Sequence, residues 1–288
     1  MDYAAVVLLE IIYMIAFLAL TSAGLAVVFG MMRVINLAHG EFVMIGGYTT
    51  IACAKAGINI YFAMLIVSPL VVGLLGLVVE RLVVRHLYGR MIDTMLATWG
   101  LSLLMVGIVT FIFGNTAVSV QAPIPGYELG EFQMGGYNLF IIGISTLLMI
   151  CMWLVMRFTR LGLVARGAMQ SADVASSLGH DPKRVYMWTF TVGAALSGLA
   201  GGVMAPLTGL LPSSGGAYIA KSFITVITGG AAIITGTLSS SILFGSINQV
   251  VSFGSTPVIG EIVMLAFAVV LLRLMPQGIT GRFFRNAP

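Results

Sequence analysis

Charge is what this chain has least of. Only 8% of its 288 residues are Asp, Glu, Lys or Arg, against about 25% in a soluble globular domain, and that excludes a water-soluble fold. Cysteine is nearly absent as well. Cys53 and Cys151 are the only two, both in apolar segments, so neither a disulfide framework nor a cysteine-based metal site is available. No G-x-x-x-x-G-K-[ST], H-E-x-x-H or G-x-S-x-G motif occurs, which leaves no P-loop for ATP and nothing on which to rest an enzyme. The net charge of +4 comes from dispersed basic residues, so it implies no nucleic-acid partner.

What the chain has is apolar length, with 59% hydrophobic residues. Uncharged or nearly uncharged runs fall at about 5–29, 39–57, 60–79, 94–113, 137–156, 185–208, 222–256 and 257–272. A run of about 20 such residues crosses roughly 30 Å of hydrocarbon as a helix, and the alternating pattern of a transmembrane barrel is not seen. The expected fold is all-α: a polytopic transmembrane bundle of about eight apolar segments in a single domain, 1–288. The first run carries Glu10 and no basic start, so it reads as a retained span, not a cleaved signal peptide.

Eleven of the fourteen Lys and Arg residues gather in three places: Arg81, Arg85 and Arg90; Arg157, Arg160, Arg166, Lys183 and Arg184; and Arg273, Arg282 and Arg285. The positive-inside rule makes these regions and the C-terminus cytoplasmic. The segment 114–136, with Glu128, Glu131 and APIPGY but no basic residue, then lies outside. Run 222–256 must return to the side on which it starts, either as two short spans or as a re-entrant pair of half-helices, breaking at Gly229-Gly230 and Gly236. Irregular backbone at membrane depth is tolerated only where protein or a cavity surrounds it. The N-terminal third has the same outline, with a broken element near 31–57, and this gives a pseudo-repeat of 1–85 and 185–275. Paired broken elements point to a transporter's path.

VINLAHGEF (34–42) lies in the first of these breaks. Polar residues at membrane depth are costly and usually face a bundle interior or a water cavity, so Asn36, His39, Gly40 and Glu41 are candidates for the translocation path, with Gly229, Gly230 and Gly236 as its second part. The alternative makes Asn36 a helix cap, with His39 and Glu41 satisfied by a neighbouring helix or at the interface. A metal site on His39 and Glu41 lacks the three or four ligands such a site takes. Glu10 and Glu261 are open to two readings: ligands for a coupling ion in a secondary transporter, or carboxyls hydrogen-bonded between helices.

The segment RLGLVARGAMQSADVASSLGHDPKRV (160–185) is too charged to span. It predicts a short helix at the cytoplasmic face, with Gly179 as its C-cap and Pro182 preventing continuation. It serves either as a docking helix or as an ordinary interfacial one. In VGAALSGLAGGVMAP, small residues recur every four positions at Gly193, Ser197, Gly201 and Ala205, a ridge that allows close helix packing in lipid.

GMMRVINLAHGEFVMIGGYTT and RGAMQSADVASSLGHDPKRVYMWTFTVGAALSGLAGGVMAP together resemble the signature and cytoplasmic loop of permease subunits of the branched-chain (hydrophobic) amino acid class of ABC importers. The resemblance covers nearly the whole chain. It implies a cell inner-membrane protein that pairs with a second permease subunit, homologous or identical, two cytoplasmic ATP-binding subunits and a solute-binding protein. ATP and Mg would be bound by the partner ATPase, with no cofactor in this chain. It also assigns ATPase coupling to 160–184, through Arg166, Ala168, Asp173, Ala175, Leu178 and Gly179. Two departures stand out. TGGAAIITGTLSS replaces the family's G-G-L-G-S-x-x-G-A stretch, and Gly167 stands where Ala is expected, moving that Ala to 168. Related permeases thought to carry urea or short-chain amides keep that substrate class open.

Overall fold

The computed structural model describes residues 2–129, 132–230 and 232–283; Glu131 and Arg285 lie outside them. Helix α1 (Asp2–Met32) is followed by α2 (His39–Lys55), α3 (Ile60–Phe62), α4 (Ser68–Leu82), α5 (Met91–Phe113) and α6 (Gly136–Phe158). Then come α7 (Arg160–Gln170), α8 (Ala172–Ser177), α9 (Pro182–Met204), α10 (Gly215–Gly229), α11 (Ile233–Gly254), α12 (Pro257–Leu274) and α13 (Gly278–Phe283). A two-stranded hairpin, β1 (Tyr127–Leu129) with β2 (Phe132–Met134), sits between α5 and α6. The fold is therefore an all-α, multi-pass bundle. Among the described residues, six helices are long and apolar enough to cross a membrane, and α10 with α11 counts as a seventh when the pair is taken as one bent span.

Local chemistry explains the interruptions. Pro69 has no N–H to offer the carbonyl four residues back, and the chain widens into a π-turn at Ala63–Val67 between α3 and α4. Pro182 and Pro257 each stand at the first position of a helix, where the missing N–H has no partner to lose. Asp181 and Thr256 cap those helices by accepting from Lys183 N and Ile259 N. The segment 160–184 is not one helix. Ser171 takes an extended conformation and caps α8 through Val174 N, so the Ala- and Ser-rich stretch divides in two. Gly179 closes α8 at φ +86°, a conformation glycine adopts without strain.

Run 222–256 is broken as expected, though its two helices are unequal in length. Helix α10 has 15 residues and α11 has 22, about 22 and 33 Å at 1.5 Å per residue, and their axes bend by 115°. A half-length helix thus meets a full-length one. The break lies at Gly230, with φ +86°, whereas Gly236 is inside α11 and breaks nothing.

Contacts group the chain into two compact units, one of Met1–Ser22, Ala122–Ile150 and Lys221–Pro288, the other of Ala23–Gln121 and Cys151–Ala220. The core of the first gathers Leu18, Phe244, Met264 and Ala268. The core of the second includes Val28, Phe42, Val72, Val79 and Phe190, with Phe42 edge-on to Phe190 at 6.0 Å. The second unit also holds an apolar crevice of about 430 Å³ between α2, α4 and α5, lined by residues such as Ile45, Tyr48, Cys53, Val71 and Ile112.

Candidate functional site

Asn36, His39 and Glu41 are 3%, 2% and 4% exposed, and each side chain has a different task. Asn36 Oδ1 accepts from Ala38 N at 3.1 Å, forming a turn that aims the chain into α2. Thr98 Oγ1, from α5, accepts from Leu37 N at 3.1 Å and pins the same loop. His39 Nδ1 lies 3.1 Å from Ser197 Oγ. Ser197 already donates to Gly193 O at 2.9 Å, so the imidazole Nδ1–H is the donor between them. The Glu41 carboxyl is hydrogen-bonded to Ser102, while its Oε2 has no partner.

The starts of two short helices meet here. A Cβ on Gly40 would run into the Gly215 carbonyl, and one on Gly215 would lie 2.8 Å from Glu41 Oε1. Glu41 therefore sits in the first turn of α2 and against the first residue of α10, where free N–H groups concentrate positive partial charge. Glycine at 40 and 215 is required by this approach of one backbone to another.

Helix α9 holds α2 by the same means. A Cβ at Gly201 would collide with the Val43 carbonyl and one at Gly46 with Gly198, while one at Gly193 would meet Val28 and Gly24 of α1. Ala205, the first residue after α9, is fully buried. Thr50 Oγ1 and Ser68 Oγ pair at 2.8 Å, and Ser68 donates to Gly46 O at 2.8 Å, tying α2 to α4. Tyr48 donates to Leu210 O at 3.2 Å.

Gly229, Gly230 and Gly236 belong to the other unit. Gly229 and Gly236 pack backbone on backbone, since a Cβ on Gly229 would lie 2.6 Å from Gly236 O. Thr280 Oγ1 donates to Gly229 O at 2.5 Å, fastening α13 to the elbow. The two remaining acids have partners in this unit: Glu10 accepts from Asn138 Nδ2 at 3.1 Å, and Glu261 pairs with Lys221 Nζ at 3.2 Å.

In α7 and α8, Ala168 and Ala175 are buried, while Arg166, Gly179 and Leu178 are exposed. Arg166 Nη1 donates to Met156 O, and Asp173 lies on α8. Leu161, Leu163, Val174 and Leu178 are exposed apolar residues beside them. The sequence reading passed over a nearby linkage. The fully buried Glu80 accepts from Tyr88 OH, and Tyr88 meets Tyr186 edge-on at 5.2 Å. Burial, with the Glu80 carboxyl beside it, pushes the Tyr88 phenol far above its ordinary range, so it stays a donor. An ionisable residue at the end of an apolar run was the signal for Glu80.

With this arrangement in view, comparison with known proteins defines the class. Residues 7–272 match the family of permease components of branched-chain amino acid transport systems, and the chain belongs to it. It is 27% identical over 284 residues to the high-affinity branched-chain amino acid transport system permease protein LivH of Escherichia coli K12, covering 92% of this chain and 91% of that one. It is also 27% identical over 282 residues to the probable branched-chain amino acid transport permease protein LivH of Methanocaldococcus jannaschii, covering 92% and 88%. Against the permease protein BraD of Pseudomonas aeruginosa, named for the same high-affinity system, identity is 27% over 285 residues, covering 92% and 91%. No solved structure matches.

Proposed function

We propose that this chain is one permease subunit of an ATP-driven importer of branched-chain or other hydrophobic amino acids and forms part of its translocation path. The observation that carries the reading is family membership over residues 7–272. Two permease subunits, identical or paralogous, work with two cytoplasmic ATP-binding subunits that hold ATP and Mg, and with a solute-binding protein. The C-terminus is cytoplasmic.

Coupling runs through 160–184, with Arg166, Ala168, Asp173, Ala175, Leu178 and Gly179 as its element. Exposed apolar side chains at Leu161, Leu163, Val174 and Leu178 support this, because such a patch outside the spans suits a protein partner. Tyr88 and Glu80 give the start of α9 a connection to the end of α4. The path is gated where α2 and α10 begin: Asn36 and His39 fix the loop, Gly40 and Glu41 close on Gly215, and the elbow at Gly229, Gly230 and Gly236 gives α10 its freedom. Glycines in backbone contact support a gate, since they separate without side chains having to repack.

The test is uptake into proteoliposomes holding this chain with its partner subunits. ATP-dependent accumulation of labelled leucine is expected, and Leu178→Asp with Val174→Asp should abolish it while the spans remain folded. Accumulation of urea or acetamide in place of leucine would replace the substrate, and uptake that follows a proton gradient without ATP would overturn the reading.

A further inference from the structure

Helix α11 carries a run of hydroxyls, Thr237, Ser239, Ser240 and Ser241, in the middle of an apolar chain. Serine and threonine in a buried helix normally turn back to bond the carbonyl three or four residues earlier. Thr237 does so to Ile233 O at 2.6 Å and Ser239 to Gly236 O at 3.0 Å, as Thr21 does to Phe17 O and Thr225 to Lys221 O. Ser240 and Ser241 do not. Their hydroxyls are fully buried and have no partner, and the same holds for Ser22 on α1. Hydroxyls left unmade in this way, away from water, are costly, and three in one compact unit ask for a ligand that satisfies them in another state.

The surroundings say what kind of ligand. Ser22 is one helical turn beyond Leu18, and Ser240 one turn before Phe244. Leu18 and Phe244 pack together in the apolar cluster with Met264, against which Phe17 and Ile224 lie. Helix α10 joins both sides: Ser222 Oγ donates to Thr21 O at 3.1 Å, and a Cβ on Gly229 would stand 3.0 Å from Ser240 Oγ. The site thus offers neutral hydroxyls beside an apolar wall, next to the elbow at Gly230. A hydroxyl donates to a carboxylate and accepts from an ammonium equally well. A small zwitterion with an apolar side chain fits both halves.

We propose that Ser22, Ser240 and Ser241 form a binding site on the path for the ammonium and carboxylate groups of a small apolar amino acid, whose side chain lies against Leu18, Phe244 and Met264. The proposal rests on the amino-acid transport reading above. Because no charge opposes the substrate's charges, the site binds weakly and releases readily, as a path requires.

Leucine uptake by the assembled importer in proteoliposomes tests it, with Ser22→Ala, Ser240→Ala and Ser241→Ala combined, beside Ser239→Ala as control. With three net hydrogen bonds removed, a rise in the KM for transport of roughly tenfold to a thousandfold is expected. The melting temperature of the purified complex should stay level, and Ser239→Ala should transport as wild type. Unchanged leucine kinetics in the triple variant would overturn the site while leaving the transport reading intact. A triple variant that fails to assemble or melts much earlier would also overturn it, since hydroxyls without partners hold nothing together. Failure of the wild type to accumulate leucine under ATP overturns the transport reading itself, and uptake of acetamide in its place overturns the zwitterion as ligand.

Discussion

Around α2, glycine brings the backbones of α2 and α9 together: Gly46 meets Gly198, and Gly201 meets the Val43 carbonyl. The polar groups in that region mostly have partners, with His39 on Ser197, Ser68 on Thr50 and Asn36 on its own turn. Around the α10–α11 elbow, glycine serves a different purpose. Gly230 supplies a positive φ, and Ser240 and Ser241 keep hydroxyls with nothing to bond. One region has used most of its hydrogen-bonding capacity to fix a joint. The other keeps hydroxyls unused, and this difference separates two ways of building a helix joint within a single small permease.

The comparison can be broken at graded points. Gly201→Val should do most damage, because its side chain enters the Val43 carbonyl; overpacking of this kind costs about 3 kcal/mol or more, read as loss of a monodisperse complex on extraction. Ser197→Ala comes next. It removes the hydroxyl that His39 meets on α9, for about 2 kcal/mol and a clearly lowered melting temperature. Gly230→Ala forces an L-residue into left-handed backbone at about 1–2 kcal/mol, with its Cβ also 2.7 Å from Thr280 Oγ1. Gly167→Ala, where an added Cβ meets open space, should instead gain up to about 1 kcal/mol. Ser240→Ala should change stability by less than about 0.5 kcal/mol, since no bond is lost. Equal melting temperatures for Ser197→Ala and Ser240→Ala would erase the distinction between the two regions.

Much of the fold was legible because hydropathy reports depth. A run of twenty apolar residues has one inexpensive fate in lipid, and the polar cluster at 34–41 marked the break that opens α2. Hydropathy carries no information about which helix a residue meets. The His39–Ser197 pair spans 158 positions, and no periodicity could announce it. Gly236 looked like a break because glycine is as frequent at tight contacts as at turns, and only the position of Gly229 opposite it decides between them. Ser171 divided a segment that reads as one helix because cap and helix interior use the same small polar residue. Ser240 ends a stretch that departs from the family's glycine pattern, and nothing in the sequence sets Ser241 apart; that their hydroxyls do not turn back to the helix is a property of rotamers.

The close approach of α2 and α9 has a practical consequence for handling the protein. Contacts between bare backbones owe little to the expulsion of solvent, so exchanging lipid for detergent removes nothing from them. Helices α5 and α12 present most of their apolar surface outward, and the crevice between α2, α4 and α5 opens among predominantly apolar side chains. Solubilisation will therefore be felt first at α5, α12 and that crevice, and the choice of amphiphile should govern their order long before it disturbs the glycine-packed joint.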